Sequence, residues 1–577
     1  MGSLSVISSN KESFDWSQVW AKGIVDRFSL QAENKDIVIA TIVDLLGEIQ
    51  LGNSCLVIEP NTAKLFENLV SNKEEVVAPF FYDGEYLYLH RHFNLELMLA
   101  AEVKRLVLAE KHSCDLTEYL SLLTDEFQRK AMQVVSANNI SLITGGPGTG
   151  KTYTLARIIA ALSKQLPNAK IAMAAPTGKA AQRMREALQK AFLDETLIQQ
   201  GLITEDLANL VPTTLHRLIG MGHSGKPQYS KHRQLPFDIL VVDEVSMLDL
   251  SLAYNLFSAI KDGAKVILLG DANQLASVDV GYVLADLKAS SLLLDSQVNL
   301  ITSRRFSDDA LIGKLAKFIQ ENHELRSDLG VVKELESKIV APGSLKKINL
   351  SEVAIDAIQM EYKTSEKKLA SHYEDLFLGY EGYIKALKDY LKANNPSDEN
   401  AVQNIVLAFD DYRILTATKN GDLGLMSLNR HIKNMLVEKL RISEAGHWYL
   451  GRPVMITENN YKLGLSNGDI GITLKHRQNI GEFEVYFPSC QKWVSAKRLP
   501  ASIQTAFVLT IHKSQGSEFS HVAVIIDESS EKLLSQELIY TAITRAKKVV
   551  SLLAEPSALG KAIKTKSIRK SGLLKKM

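Results

Sequence analysis

The chain has 577 residues, room for three or four domains at roughly one per 150 residues, so a peptide hormone or a small stapled scaffold is excluded. Lys plus Arg total 67 against 66 for Asp plus Glu, and 46% hydrophobic with 23% charged residues is a globular balance rather than that of a disordered chain. With a formal net charge of +1, any polyanion must be held by local basic patches, because the whole-molecule field will not gather it.

Three cysteines, Cys55, Cys114 and Cys490, lie far apart with no CxxC pair, which argues against a disulfide framework, a zinc ribbon or an iron–sulfur cluster and for a reducing cytoplasm. No apolar run is long enough to span a bilayer, and the start, MGSLSVISSNKESF, lacks a basic n-region and an apolar h-region. Val6 breaks the myristoylation pattern. The expectation is a protein that is neither exported nor embedded in a membrane.

Residues 1 to about 115 read as a mixed α and β region without a chemical motif: amphipathic stretches such as VIATIVDLLGEIQ, then strand-like SCLVIE and EYLYLHRHF. From about 116 to 310 short apolar runs, SLITG, KIAMAAP, DILVVDE and KVILLGD, alternate with helical stretches. Each run stops at Gly, Pro or an acid, as buried parallel strands ending in functional loops do. A doubly wound α/β domain is predicted there, interrupted at 221–235 by a basic β-hairpin carrying Lys226, Lys231 and Arg233. A charged helical connector is expected over 311–400, closed by NNPSDEN. A second α/β domain then follows over 401–555, with short strands and turn signals over 452–500 predicting a small β-barrel-like insert. The last stretch, 556–577, holds Lys561, Lys564, Lys566, Arg569, Lys570, Lys575 and Lys576, and its composition is that of a solvated, partly disordered basic tail.

The strand SLITG runs into Gly145-Gly146-Pro147-Gly148-Thr149-Gly150-Lys151-Thr152 and a helix, the context a phosphate loop requires. The glycines let successive N–H groups cradle phosphate oxygens, the helix N-terminus adds partial positive charge, and Lys151 reaches the β and γ phosphates. Thr152 offers a hydroxyl to Mg²⁺. DILVVDE supplies the second half of the site: Asp243 would hold the metal, and Glu244 would orient and deprotonate the attacking water. KVILLGDANQL ends in Asp271 and Gln274, where a glutamine can report whether a γ-phosphate is present. ATP and Mg²⁺ are the expected cofactors.

Read in order, Phe127-Gln128-Arg129, GGPGTGKT, APTGKAAQRM, TLHRLIG, VVDEVSM, LLGDANQLASVDVG, TSRRF, TIHKSQGSEF and ELIYTAITRAKK resemble the helicase motifs of superfamily 1. More narrowly they resemble its 5′-to-3′ branch and, within it, the RecD family, the alpha subunits of exodeoxyribonuclease V enzymes. The resemblance implies two RecA-like domains with a small SH3-like barrel, ATP-driven 5′-to-3′ unwinding of DNA, and RecB-like and RecC-like partners in double-strand break repair by homologous recombination. It also implies that residues 1–115 dock a partner, and that the 221–235 excursion splits the duplex. It makes Gln128 the adenine reader, Gly516 and Glu518 nucleotide contacts, and Arg305 and Arg545 arginines reaching the nucleotide across the cleft. Single-stranded DNA would meet Thr177, Lys179, His216, Thr510, His512, Lys513, Ser514 and Gln515. No nuclease site is expected: Asp356 with Glu361-Tyr362-Lys363 mimics an acid followed by ExK but falls in a stretch read as helical, and in the family the nuclease lies on a partner. Two alternatives stay open, a scaffold subunit whose nucleotide site switches assembly and a free-standing RecD-like helicase.

Overall fold

The computed structural model describes residues 16–577 apart from 29, 75, 111–112, 223–224, 303–309, 322, 324–325, 365–366 and 461. At the N-terminal end a small sheet runs in the order Cys55–Val57, Tyr86–Leu89, Phe80–Tyr82, Val70–Ser71. It packs on the helices Trp16–Arg27 and Lys35–Gln50 through Val25, Ile42, Leu45, Phe66 and Phe80. The next helix, His90–Leu108, leaves this unit: its face Leu99, Ala100, Val103 and Leu106 is buried in the core of the following domain. Arg105 fastens it by donating to the Phe257 and Ile260 carbonyls at 3.1 and 2.8 Å.

The four apolar runs read as strands form a parallel sheet with two short additions, in the order Gln297–Leu300, Ile140–Gly145, Lys265–Gly270, Ile239–Val242, Ile171–Ala175, Thr213–Thr214. Both faces are covered, as near-continuous apolar strands require. Leu142, Leu240 and Leu268 meet the helix Leu250–Ala259 on one face, and Ile143, Val241 and Ile267 meet Lys151–Gln165 on the other. Every strand points its C-terminal end at the same edge, where the phosphate loop, Asp243 and Asp271 follow.

A second parallel sheet runs Ala357–Tyr362, Ala546–Ala554, Phe519–Ile526, Tyr412–Thr416, Val508–Thr510. Its first strand comes from the stretch expected to be a helical connector, which is thus partly a strand at one edge of the second domain. That placement also corrects the setting of the nuclease-like acids. Glu361 and Tyr362 lie on a strand, and each acidic or basic group has a structural partner. Asp356 caps the helix Leu311–Gln320 through the Leu311 and Ile312 amides, and Lys363 pairs with Glu555 at 2.7 Å. Lys367 donates to both Glu361 and Asp375 at 2.5 Å, so an ammonium group sits between those carboxylates.

At the expected barrel insert the structure has an antiparallel five-stranded sheet, Lys492–Ser495, Phe483–Phe487, Ile470–Lys475, Pro453–Met455, Gln504–Thr505, whose ladder is open among the described residues. The basic segment 221–235 differs from its expectation too: among its described residues a single antiparallel bridge, Ser230 to Arg233, stands in place of a two-stranded hairpin.

The C-terminal segment departs most from the sequence reading. Pro556–Lys564 is a helix that buries Ala558, Leu559, Ala562 and Ile563 in the second domain. Beyond it the chain crosses to the first domain, where Arg569 donates to the Ser277, Asp279 and Gly281 carbonyls. It then reaches the N-terminal unit, where the Lys570 amide donates to Asn53 at 2.7 Å and its ammonium pairs with Glu48 at 3.0 Å. The short helix Leu573–Lys576 ends the strap, with Lys576 paired at 2.7 Å to Glu96, whose side chain is 0% exposed. Composition predicted solvation because it counts the cations; the carboxylates that meet Lys564, Lys570, Lys575 and Lys576 come from distant parts of the chain.

Candidate nucleotide site and interdomain cleft

Gly148 and Gly150 take φ of +77° and +82°, which only glycine adopts without cost, and the helix Lys151–Gln165 begins directly after them. Lys151 donates to the Gly145 and Gly146 carbonyls at 2.6 and 3.1 Å, which holds its ammonium over the loop. Thr149 closes the loop by donating to Gly146 at 2.8 Å. Gln128 is buried at the start of the helix Glu126–Ala137, which Asp125 caps through the Phe127 and Gln128 amides. Its amide nitrogen lies so near Gly150 that a Cβ there would meet it at 3.0 Å, and its carbonyl oxygen has no hydrogen-bond partner. An unsatisfied buried acceptor facing a phosphate loop suits a base-reading group.

The strand carrying Asp271 lies between the phosphate-loop strand and the one carrying Asp243, so the three functional ends converge on Lys151. Burial, and then the neighbouring Glu244 carboxylate, push the Asp243 carboxyl up, against the pull of Lys151. Glu244 itself sits at φ +54°, a left-handed conformation costly for a side chain of this kind and concentrated at functional sites. Nothing in the sequence marked it as strained. A cavity of about 600 Å³ opens beside the phosphate loop, between Asn273, Leu300, Lys317 and Tyr540.

The second domain closes the site. Tyr540 donates to the buried Asp271 carboxylate at 3.1 Å, and Gln274 donates to the same group at 3.0 Å. The Leu275 amide donates to Thr541 at 2.8 Å, and Gln515 donates to the Leu275 carbonyl at 2.8 Å. The loop carrying Gln274 is therefore held by three second-domain side chains. Arg545, only 3% exposed, donates to the Thr541 and Ser517 carbonyls. Burial draws its guanidinium below the ordinary range, while Glu244, Glu518 and Asp271 sustain its charge and Arg183 opposes it. Arg183 pairs across the cleft with Glu518 at 2.6 Å. Gly516, at φ +68°, packs so closely that a Cβ would come within 3.2 Å of Ala180.

Of the expected site residues, Lys151, Asp243, Glu244, Gln274 and Arg545 meet at this junction, with Gln128 at its rim and Thr152 following Lys151 on the helix. Arg305 lies outside the described residues. Arg183, Tyr540 and Thr541 escaped the sequence reading although each stands inside a quoted motif. Their part depends on the partner opposite, which spacing does not reveal.

The expected DNA contacts divide. Thr510, His512 and Lys513 line an open groove between the domains. Thr177 caps the helix Gly178–Phe192 through the Ala180 amide, and Lys179 lies over the Phe519 ring, its pKa drawn down to about 8 by burial. His216 is half-buried on the short helix Leu215–Leu218. Ser514 and Gln515 are corrected: the Ser514 hydroxyl, 0% exposed, donates to the Ile511 carbonyl, and Gln515 bonds Leu275. Both side chains serve the fold and the domain junction rather than a ligand in the groove.

Residues 128–280 match the family model described as an AAA domain, and residues 505–553 match that of the UvrD-like helicase C-terminal domain. The RecBCD enzyme subunit RecD of Haemophilus influenzae is 34% identical over 78% of this chain and 72% of its own length. That of Mycobacterium tuberculosis is 32% identical over 85% and 80%. The ATP-dependent RecD2 DNA helicase of Deinococcus radiodurans is 28% identical over 73% of this chain and 48% of its own.

Proposed function

Because the chain belongs to the RecD family of RecBCD enzyme subunits, we propose that it is the ATP-driven DNA helicase subunit of a RecBCD-type complex, moving 5′ to 3′ during double-strand break repair by homologous recombination. The observation that carries this reading is the three-point hold of Tyr540, Thr541 and Gln515 on the Asp271–Leu275 loop. A loop that senses the γ-phosphate is thereby tied to the domain that must move when hydrolysis occurs.

In the cycle, Lys151 and the loop amides grip the phosphates, Glu244 orients water and takes its proton, and Arg545 and Arg305 offset charge on the transferring group. Gln128 reads the adenine, and Gly516 and Glu518 are further nucleotide contacts. Thr152 and Asp243 would hold Mg²⁺; their hydroxyl and carboxylate are the hard oxygen donors that ion prefers, and it supplies charge neutralisation between phosphates. Thr177, Lys179, His216, Thr510, His512 and Lys513 face the single strand. The two parallel-sheet domains, 116–310 and 401–555, act as RecA-like motor halves, with the antiparallel sheet as an SH3-like module. Residues 1–115 dock RecB-like and RecC-like chains, and the complex works in the cytoplasm. Among the described residues no helix is long and apolar enough to cross a membrane.

Strand displacement on 5′-tailed and 3′-tailed duplexes tests motor activity and polarity together. Lys151→Ala should leave folding intact and abolish both hydrolysis and unwinding. If that variant still displaced the strand with no other motor present, the assignment would fail.

A further inference from the structure

The C-terminal strap passes along the open groove that holds Thr510, His512 and Lys513, a space of about 1000 Å³. Five cationic side chains line it, Lys419, Lys513, Lys566, Arg569 and Lys570, against one carboxylate, Glu48. Glu48 is already engaged by Lys570 at 3.0 Å, Arg569 by carbonyls of the first domain, and Lys513 by Gln504 at 3.0 Å. Lys566 and Lys419 are exposed and form no ion pair or side-chain hydrogen bond among the described residues. They come from different segments, Lys566 from the strap and Lys419 from the loop after the strand Tyr412–Thr416. Burial and then the Lys419 charge lower Lys513, and burial and then the Arg569 charge lower His512, so cationic groups are gathered closely around the groove.

The strap is not loose here. The Ser567 amide donates to Glu537 at 2.8 Å, the Lys570 amide to Asn53 at 2.7 Å, and the Ser54 amide to the Lys570 carbonyl at 3.0 Å. The Gln536 amide also donates to the Thr565 carbonyl at 2.7 Å, so Lys566, between Thr565 and Ser567, and Ile568, between Ser567 and Lys570, are presented to the groove from a pinned backbone, Ile568 at 80% exposure. An isoleucine so exposed on a pinned segment, beside Val278 at 68%, gives the groove an apolar strip next to its cations. Phosphates on the charged side and bases on the apolar side make single-stranded nucleic acid the ligand whose chemistry fits both.

We propose that the strap residues 565–570 form a third wall of the single-strand groove, with Lys566 contacting a backbone phosphate in the groove that Lys419 also lines and Ile568 lying against a base. This rests on the DNA-motor reading and adds to it a binding element outside the two motor domains.

The test is a salt titration of affinity for a labelled oligothymidine by fluorescence anisotropy, using the full chain. Each phosphate contact on a single strand contributes about 0.7 to the slope of log affinity against log salt. Lys566→Ala should lower the slope by about that much, Lys566→Glu by at least as much, and Lys566→Arg should restore it. Lys392→Ala, on a remote helix, should match the wild type. If Lys566→Ala and Lys566→Glu keep the wild-type slope and affinity while Lys513→Ala loses both, the strap is not a wall of the groove and the motor reading stands. If the wild type fails to bind the oligonucleotide at all, the motor reading and the proposal fall together.

Discussion

Lys576→Ala removes the counter-charge of a carboxylate that has no route to water. Glu96 is 0% exposed and accepts from Ser54 at 2.5 Å, from Ser571 and the Gly572 amide at 3.2 Å, and from Lys576 at 2.7 Å. At that last distance, with an effective dielectric of about 20, the Coulomb attraction is about 6 kcal/mol, much of it offset by the desolvation of two charges. Removing one partner leaves the other buried and unpaired, at a cost of about 3–5 kcal/mol. The ammonium also lies over the Tyr88 and Phe93 rings, 4.6 Å from each centroid, and that contact is lost as well. At 1.36 kcal/mol per decade, the equilibrium for release of the strap end should rise by about two to nearly four powers of ten. Hydrogen exchange of the 573–577 amides reads that opening directly. Lys576→Met combined with Glu96→Gln should recover most of the loss, because no charge is then stranded. A rise under about threefold for Lys576→Ala, or a double variant no better than the single one, would refute the argument that this ion pair holds the strap.

Three further outcomes are expected. Tyr540→Phe removes a hydrogen bond to the buried Asp271 carboxylate, worth about 1.5–3 kcal/mol, and should cut the stimulation of ATP hydrolysis by single-stranded DNA about ten- to hundredfold; unchanged stimulation would place the coupling elsewhere. Arg545→Lys should slow single-turnover hydrolysis by about 10³ or more with little change in nucleotide affinity, and a loss of affinity alone would mark the arginine as a binding group only. Asp286, pushed up to about 7 by burial and Glu96 against the pull of Ser571 and Lys576, lies above its unfolded value of about 3.9. The folded state therefore binds the extra proton between about pH 4 and 7. Global stability should therefore fall as pH rises through that range, and Asp286→Asn should flatten the pH dependence of the unfolding free energy measured by denaturant titration.

The nucleotide-binding half of this protein was legible from the linear chain because it is built locally. A buried strand, a loop with glycines where φ must be positive, and a helix opening on Lys151 occupy a continuous segment, so residue spacing alone specifies a phosphate cradle. The ends of the neighbouring strands were equally plain, since an apolar run that stops at Asp243 or Asp271 puts the acid at a sheet edge wherever the strand falls. The stretch 311–400 misled because charge-rich helices flank a strand, Ala357–Tyr362, that earns its place only by pairing with the strand Ala546–Ala554, nearly two hundred residues away. Ser514 and Gln515 misled for a related reason: a motif fixes identity and order, whereas the direction a side chain faces depends on what packs against it. The same holds for the hold on Leu275 and for the strap. Lys576 is a surface cation by composition, and it becomes a buried ion pair only because folding brings Glu96, 480 residues earlier, beneath it. Local backbone geometry can be written in neighbouring residues, but an interdomain bond needs two distant segments to meet, and only the folded chain decides which ones do.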